Sequence, residues 1–353
     1  MSGGIAQLVA VGAQDAHLVG APEVSFFRST YKRHTNFSQT CERQVIQGNV
    51  ANNGMSTVRF ERKGDLLNYV YFAPYVVADA DTAPVADWTA VIDKVELLIG
   101  GQVVDAQDSK YSTLIAPTLS ATNFSKSTAG DLYGGATNEK FYPLRFSFCE
   151  NWQSALPLVA LQYHDVEIRI TWGDSAKNWG WNVYANFAYL DTDERAAFSS
   201  GSQNMLITQV QKSIASKSLI QELNYNHPIK YLAAASGSAM SILNEANKLK
   251  LQINGTDIGD YKFADPNFTS VPLYYHTSNS SVKGTNLFFV PFCLDAAKLQ
   301  PTGSLNFSRL DSARIQSAGH AGAGAGKFEQ DIYAVNYNVL RVENGMAGLL
   351  YSN

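Results

Sequence analysis

A chain of 353 residues with 45% hydrophobic and 12% aromatic side chains is long enough for two domains, each with its own core, and is neither a disordered nor a coiled-coil protein. Its formal net charge of -4 provides no global attraction to nucleic acid, which argues against genome packaging and direct sequence-specific nucleic-acid binding. The three cysteines, Cys41, Cys149 and Cys293, lie far apart without Cys-x-x-Cys spacing, which points away from a disulfide framework or zinc knuckle and toward a reducing compartment.

In chain order, MSGGIAQLVAVGAQD has a short apolar stretch but no basic region before it, and no apolar run in the chain reaches bilayer-spanning length. Neither a secretory signal nor a membrane-spanning helix is expected. Residues 1–22 carry Gly3, Gly4, Gly12 and Gly20 without a period of two, so they read as an arm outside any sandwich. Ile5, Leu8, Val9 and Val11 are too apolar for a solvated tail, so the arm is expected to be buried against something. Strand material is expected from Val24 to Phe27. The cluster Arg28, Tyr31, Lys32, Arg33 and His34 could hold phosphate or lipid headgroups, although a solvated strand start or turn is the simpler reading.

Further along, DKVELLIGGQVVD (Asp93 to Asp105) reads as a strand running into a Gly100-Gly101 hairpin turn. A short helix is expected over Ala106 to Leu114. Val166, Ile168, Ile170 and Trp172 alternate with Glu167, Arg169 and Thr171, the pattern of a half-buried strand. A second short helix is expected over Asp191 to Phe198, where Asp-Thr-Asp-Glu places acidic residues at a helix N-terminus. NKLKLQINGTDIG (Asn247 to Gly259) then lines up with Asp93 to Asp105, and its Asn254-Gly255 pair matches Gly100-Gly101. FSFC (Phe146 to Cys149) and VPFC (Val290 to Cys293) follow their hairpins in the same order, so Cys149 and Cys293 are expected as matched, buried thiols in apolar strands. Gly319 to Gly326 reads as a low-complexity loop, and Tyr333, Val335, Tyr337 and Val339 as one face of a last strand.

Two similar halves of short strands describe an all-β protein of two antiparallel sandwiches of jelly-roll or Greek-key kind, with short connecting helices. The charges, serines and glycine of DTDERAAFSSGSQ place the junction within Asp191 to Gln203. This gives an arm over 1–22 and sandwiches over 23–195 and 196–353.

No chemistry emerges from the motifs. AGAGAGK fails as a phosphate loop because Ala321 replaces the first glycine and Phe328 the hydroxyl, and it lacks the dinucleotide glycine spacing. His17, His34, His164, His227, His276 and His320 are singletons, and no Gly-x-Ser-x-Gly elbow occurs. Asp79 with Asp81 and Asp191 with Asp193 are better read as loops and helix caps than as acid-base pairs. Asn-x-Ser/Thr sequons stand at Asn36, Asn123, Asn254, Asn267, Asn279 and Asn306, and read as chance without a secretory route. No catalytic, metal or cofactor-binding residue, and no cofactor, is expected.

GGIAQLVAVGAQDAHLVGAPEVSFFRSTYKRHTNFS (Gly3 to Ser38) closely resembles the start of the major capsid proteins of nucleocytoplasmic large DNA viruses. Further blocks resembling that family follow in its order: VELLIGGQVVD, ALPLVALQYHDVEIRI, YLDTDER, NYNHPIKYL, PTGSLNFSRLDSARI and YAVNYNVLRVENGMAGLLYSN. The resemblance implies a double jelly roll, with two tandem eight-stranded sandwiches and no enzymatic activity. It further implies a homotrimer forming a pseudo-hexagonal capsomer that meets neighbouring capsomers in an icosahedral virion shell, assembled in the host cytoplasm. Minor capsid proteins and an internal membrane are then expected partners at the inner face. The chain is shorter than many relatives, which implies reduced outer loops. A minor capsid protein of the same lineage is the nearest alternative, although a vertex protein needs only one roll to match five-fold symmetry. A jelly-roll carbohydrate-binding protein or hydrolase would require an aromatic strip or paired carboxylates. Trp152, Trp172, Trp179 and Trp181 are its candidates, and read instead as core and inter-roll packing aromatics.

Overall fold

The computed structural model describes residues 3–76, 85–120, 122, 140–277, 286–319 and 324–352. It divides into two compact units, Met1–Asn36 and Phe37–Asn353. In the first, short helices span Gly3–Val9 and Ala16–Val19, and every described side chain is exposed. Val24 to Phe27 forms no strand, contrary to expectation. The first strand starts at Phe37.

The second unit contains β1 (Phe37–Gln44), β2 (Ile46–Gln47), β3 (Met55–Arg59), β4 (Leu66–Tyr75), β5 (Ile92–Ile99), β6 (Gln102–Asp108), β7 (Tyr142–Pro143), β8 (Leu156–Pro157), β9 (Val166–Trp172) and β10 (Gly180–Leu190). There follow β11 (Gln203–Ser213), β12 (Ile220–Glu222), β13 (Pro228–Ala235), β14 (Asn247–Ile253), β15 (Thr256–Phe263), β16 (Leu287–Pro291), β17 (Leu305–Asn306), β18 (Ala313–Gly319), β19 (Ile332–Glu343) and β20 (Met346–Leu349). All described pairings are antiparallel, in four sheets. One sheet runs β1-β10-β4-β7 and a second β3-β9-β5-β6; the later strands repeat both orders as β11-β19-β13-β16 and β12-β18-β14-β15. Four short strands, β2, β8, β17 and β20, extend these sheets. Each set of eight is a jelly roll, in which the first strand pairs with the last.

The repeated hairpins occupy the same place in that order, as β5-β6 and β14-β15. Their turns need positive φ at both central residues: Gly100 and Gly101 have φ of 58° and 81°, Asn254 and Gly255 of 49° and 77°. In β9 the predicted alternation holds, with Val166, Ile168, Ile170 and Trp172 buried and the intervening residues half-buried. Trp172 meets Trp181 of β10 with ring centroids 5.0 Å apart. That contact joins the two sheets of the first sandwich through a single core that includes Phe72, Val95 and Phe187.

The second sandwich differs in one respect: its β11-β19-β13-β16 sheet is covered on both faces. Ala234, Ala334 and Phe288 face the sandwich core, whereas Tyr231, Tyr333, Val335 and Phe289 pack against Tyr111, Ile115 and Leu119 from the first half of the chain. This explains why β13 and β19 are buried almost continuously rather than at alternate residues.

Two local expectations are corrected. Ala106 continues strand β6 rather than starting a helix, because β6 completes the hairpin with β5; helical turns begin after Asp108 and run to Leu119. Nor are the cysteines in matched strands: Cys149 is half-buried in the short helix Ser147–Glu150, and Cys293 is buried just after β16. Pairing through the β5-β6 and β14-β15 hairpins repeats between halves, but the connectors that carry the cysteines do not.

Candidate functional site

The near-miss phosphate loop has another use. No helix follows Lys327; the Gly326 amide donates to Asn247 Oδ1 at 3.2 Å, its carbonyl accepts from Ser317 Oγ at 2.7 Å, and Phe328 is fully buried in the second core. A Cβ on Gly326 would lie 2.3 Å from the Ser241 carbonyl oxygen, so glycine is required by close backbone packing. Asp191 caps the helix Thr192–Ser200 by accepting from the Thr192 amide at 2.8 Å, and Asp193 lies in that helix's first turn. Asp79, Asp81, Asn123, Asn279 and His320 lie outside the described residues. Among the described residues no group of three or more His, Cys, Asp or Glu side chains could hold a metal ion.

The tryptophans form no continuous strip. Trp172 and Trp181 are buried and donate to Ser56 Oγ at 2.9 Å and the Ala176 carbonyl at 3.1 Å, and Trp179 packs against the same core. Trp152 is 81% exposed, so it is not the packing aromatic that was expected. Several sequon amides serve local structure: Asn254 Oδ1 accepts from the Asp311 and Ser312 amides, Asn267 donates to the Phe263 carbonyl, and Asn306 accepts from the Ser308 amide.

Where the chain concentrates its polar chemistry is the seam between β6, at one end of its sheet, and β11, at the end of another. Asp105 is buried there. Its Oδ1 accepts from the Val210 amide at 2.9 Å and its own neighbour's amide, Ala106, at 2.9 Å, and Oδ2 accepts from Gln107 Nε2 at 2.8 Å. Burial pushes this carboxyl up to about 6, against the pull of those three donors. Gln107 also donates to the Arg145 carbonyl at 3.0 Å, and the nearly buried Arg145 guanidinium pairs with Glu150 at 3.2 Å. At the next outward position Lys212 Nζ reaches Asp108 at 2.5 Å, with Asp331 at 3.9 Å. Burial opposes the Lys212 charge, yet these carboxylates outweigh it and raise its pKa.

Farther along the seam, Ser120 Oγ and Tyr231 Oη lie 2.8 Å apart. The turn between β19 and β20 docks on the first roll: the Tyr163 amide donates to the Gly345 carbonyl at 2.9 Å, and the His164 ring approaches the Ala347 carbonyl at 3.0 Å. Leu340, Val342 and Ala347 join the first roll's core. Sequence reasoning passed over both contributors. The Asn344-Gly345 pair carries the same hairpin signal as Asn254-Gly255, and Asp105 is where the repeat places a carboxylate opposite Gly259.

Outward, the chain offers contact surface. Tyr274 and Tyr275, 79% and 72% exposed, meet edge to face at 4.9 Å. On the outer face of the β14-β15 hairpin, Lys248 lies over Phe263 and Lys250 over Tyr261, each 4.6 Å from the ring centre. The basic cluster is exposed throughout and belongs to the first unit.

Comparison with known proteins gives two family matches: the major capsid protein N-terminus over residues 25–200 and the large eukaryotic DNA virus major capsid protein over residues 235–348. The major capsid protein of Pyramimonas orientalis virus is 34% identical, with all of both chains covered. That of Paramecium bursaria Chlorella virus 1 is 29% identical, again over all of both chains. A quasi-atomic structure of the latter virus's capsid matches 93% of this chain and all of its own with a TM-score of 0.75 at 25% identity.

Proposed function

Because the chain belongs to the major capsid proteins of large eukaryotic DNA viruses, and so is a non-enzymatic component of an icosahedral virion shell, we propose that it builds that shell as a homotrimer. Three double rolls present six similar sandwiches, so a three-fold capsomer offers near-hexagonal edges to its neighbours. The observation carrying this reading is the duplicated strand order, β1-β10-β4-β7 with β3-β9-β5-β6 and then β11-β19-β13-β16 with β12-β18-β14-β15. The proposed division is an arm over residues 1–22, a first roll over 23–195 and a second over 196–353, with the helix Thr192–Ser200 across the junction. An arm before β1 lies at the inner face, where minor capsid proteins and an internal membrane are the proposed partners; assembly takes place in the host cytoplasm.

The test is the mass of the purified chain in solution. Sedimentation velocity or mass photometry at micromolar concentration is expected to give trimers, and electron microscopy six-lobed particles. A well-folded chain that stays monomeric under these conditions would refute the trimer and favour a minor capsid role.

A further inference from the structure

Residues 1–14 hold no charged side chain, and no acidic residue lies between Glu23 and Glu42, a stretch that contains Arg28, Lys32 and Arg33. This local positive excess occurs in a chain whose formal net charge is -4. Interleaved with the cations are Phe26, Phe27 and Tyr31, which are 93%, 102% and 87% exposed. Ahead of them Ile5, Leu8 and Val9 follow the i, i+3, i+4 spacing of one helical face in Gly3–Val9, and all are exposed as well.

Aromatic rings spaced among basic residues, next to an uncharged apolar helix, fit the chemistry of a bilayer interface. Rings enter the headgroup region while the cations meet anionic headgroups. A protein partner would also bury the apolar residues, but the run of cations without an intervening acid selects a negative surface. Base stacking on the rings is the rival for a basic-aromatic segment, but three cations give nucleic acid a small electrostatic footprint. We infer that the first unit, residues 1–36, is a docking segment for an anionic bilayer surface, with Phe26, Phe27 and Tyr31 as the interfacial anchors and Arg28, Lys32 and Arg33 as the headgroup ligands. The inference deepens the proposed function by naming what the inner-face arm binds, and it rests on that reading only for the arm's location.

The test uses the full-length chain with vesicles of phosphatidylcholine, alone or with roughly one-third phosphatidylserine. Co-sedimentation is expected with the anionic vesicles, and it should weaken steeply at about 0.5 M salt. Each lysine or arginine near such a surface contributes about fivefold in affinity, so the triple change Arg28→Gln, Lys32→Gln and Arg33→Gln should weaken binding by about 100-fold. Changing Phe26→Ser and Phe27→Ser should cost about tenfold or more for each ring. Both variants lie outside the sheets and should keep the parent melting temperature. Equal binding to neutral and anionic vesicles, no binding to either, unchanged binding by both variants, or tighter binding to single-stranded DNA than to vesicles would each overturn the inference. Sedimentation velocity on the same samples separates the two readings: trimers that ignore vesicles sink the docking segment alone, whereas monomers that bind them sink the trimer alone.

Discussion

Replacing Asp105 by asparagine should change how stability depends on pH, not only how large it is. The folded protein holds this carboxyl at about 6, from an ordinary value of 3.8, chiefly because burial disfavours its charge. A carboxyl with a raised folded pKa binds more protons folded than unfolded. Its contribution is therefore complete below about pH 4 and is lost as pH rises through about 6. A rise of about two pH units corresponds to about 3 kcal/mol. The carboxamide introduced by Asp105→Asn cannot ionise, yet its oxygen can still accept from the Val210 amide. Its NH2 faces Gln107 Nε2, which is held by the Arg145 carbonyl at 3.0 Å, so a pH-independent loss of about 1 to 2 kcal/mol is added. Urea unfolding of both proteins from about pH 4 to about pH 7.5 isolates Asp105, because all other titrations are common to the two. His227 lines the same cleft, of about 290 Å³, and repeating the pair in a His227→Gln background removes its coupling. The stability of the parent minus that of the variant should fall by about 2.5 kcal/mol across the range. A flat difference, or one rising with pH, would refute the buried-carboxyl account of the seam.

The two hairpin turns should respond unequally to alanine. Gly255→Ala meets open space and carries only the cost of positive φ, about 1 kcal/mol; Gly100→Ala also drives a Cβ to 2.6 Å from the His164 ring, for about 2 to 4 kcal/mol in all. Equal losses in chemical denaturation would contradict the docking of His164 against this turn. Thiol labelling under native conditions should modify exposed Cys41 first and Cys293 last, since Cys293 is 3% exposed and burial pushes its thiol up; rapid modification of Cys293 would show that the segment after β16 opens. Deleting residues 1–36 should leave the melting temperature of the sheets nearly unchanged while impairing shell assembly or inner-face attachment, and a deletion that unfolds the chain would assign the arm to the core.

The features legible in the sequence were those set by neighbours a few residues away. Alternation marked β9, and paired turn residues marked both hairpins. The helix after Asp191 was marked by its own cap and first-turn charges. Most of what escaped depends on residues distant in the chain. The Gly100-Gly101 turn announces a return strand but not its length, and only the pairing of Ala106 with Glu96, with β11 packed at the seam, shows that the strand runs on through Ala106 against local helix preference. The alternation read into Tyr333 to Val339 described the pleat correctly but not the burial, because the turns from Tyr111 to Leu119 cover the face that an ordinary antiparallel sheet leaves wet. Asp105 entered the sequence reading only as the last residue of the repeated segment, and its burial beside Val210, a hundred residues on, had no local signal. Trp152 erred in the opposite direction: a large ring suggested a core position, yet the short helical turn that carries it faces solvent.

The seam bears directly on how copies of the chain can meet. An open sheet edge carries unpaired amides and carbonyls that can recruit a strand from another molecule. At β11 the first roll occupies this edge: the Asp105 side chain takes the Val210 amide, and Gln209 Nε2 donates to the Val104 carbonyl. The edge of β15 is blunted differently, by the charges of Asp257, Asp260 and Lys262 and by the positive-φ Gly259, where pairing with β14 shifts register. β1 carries Glu42 and Arg43 among polar residues along its exposed length. Strand addition is thus disfavoured at each of these edges, and contact through side-chain faces, such as those that carry the exposed Tyr274-Tyr275 pair and the cation-ring pairs of β14-β15, is the expected alternative there. Contacts of that kind form between finished folds and can be remade during assembly, whereas strand exchange would fuse subunits into open-ended aggregates. A shell that must close needs the first kind.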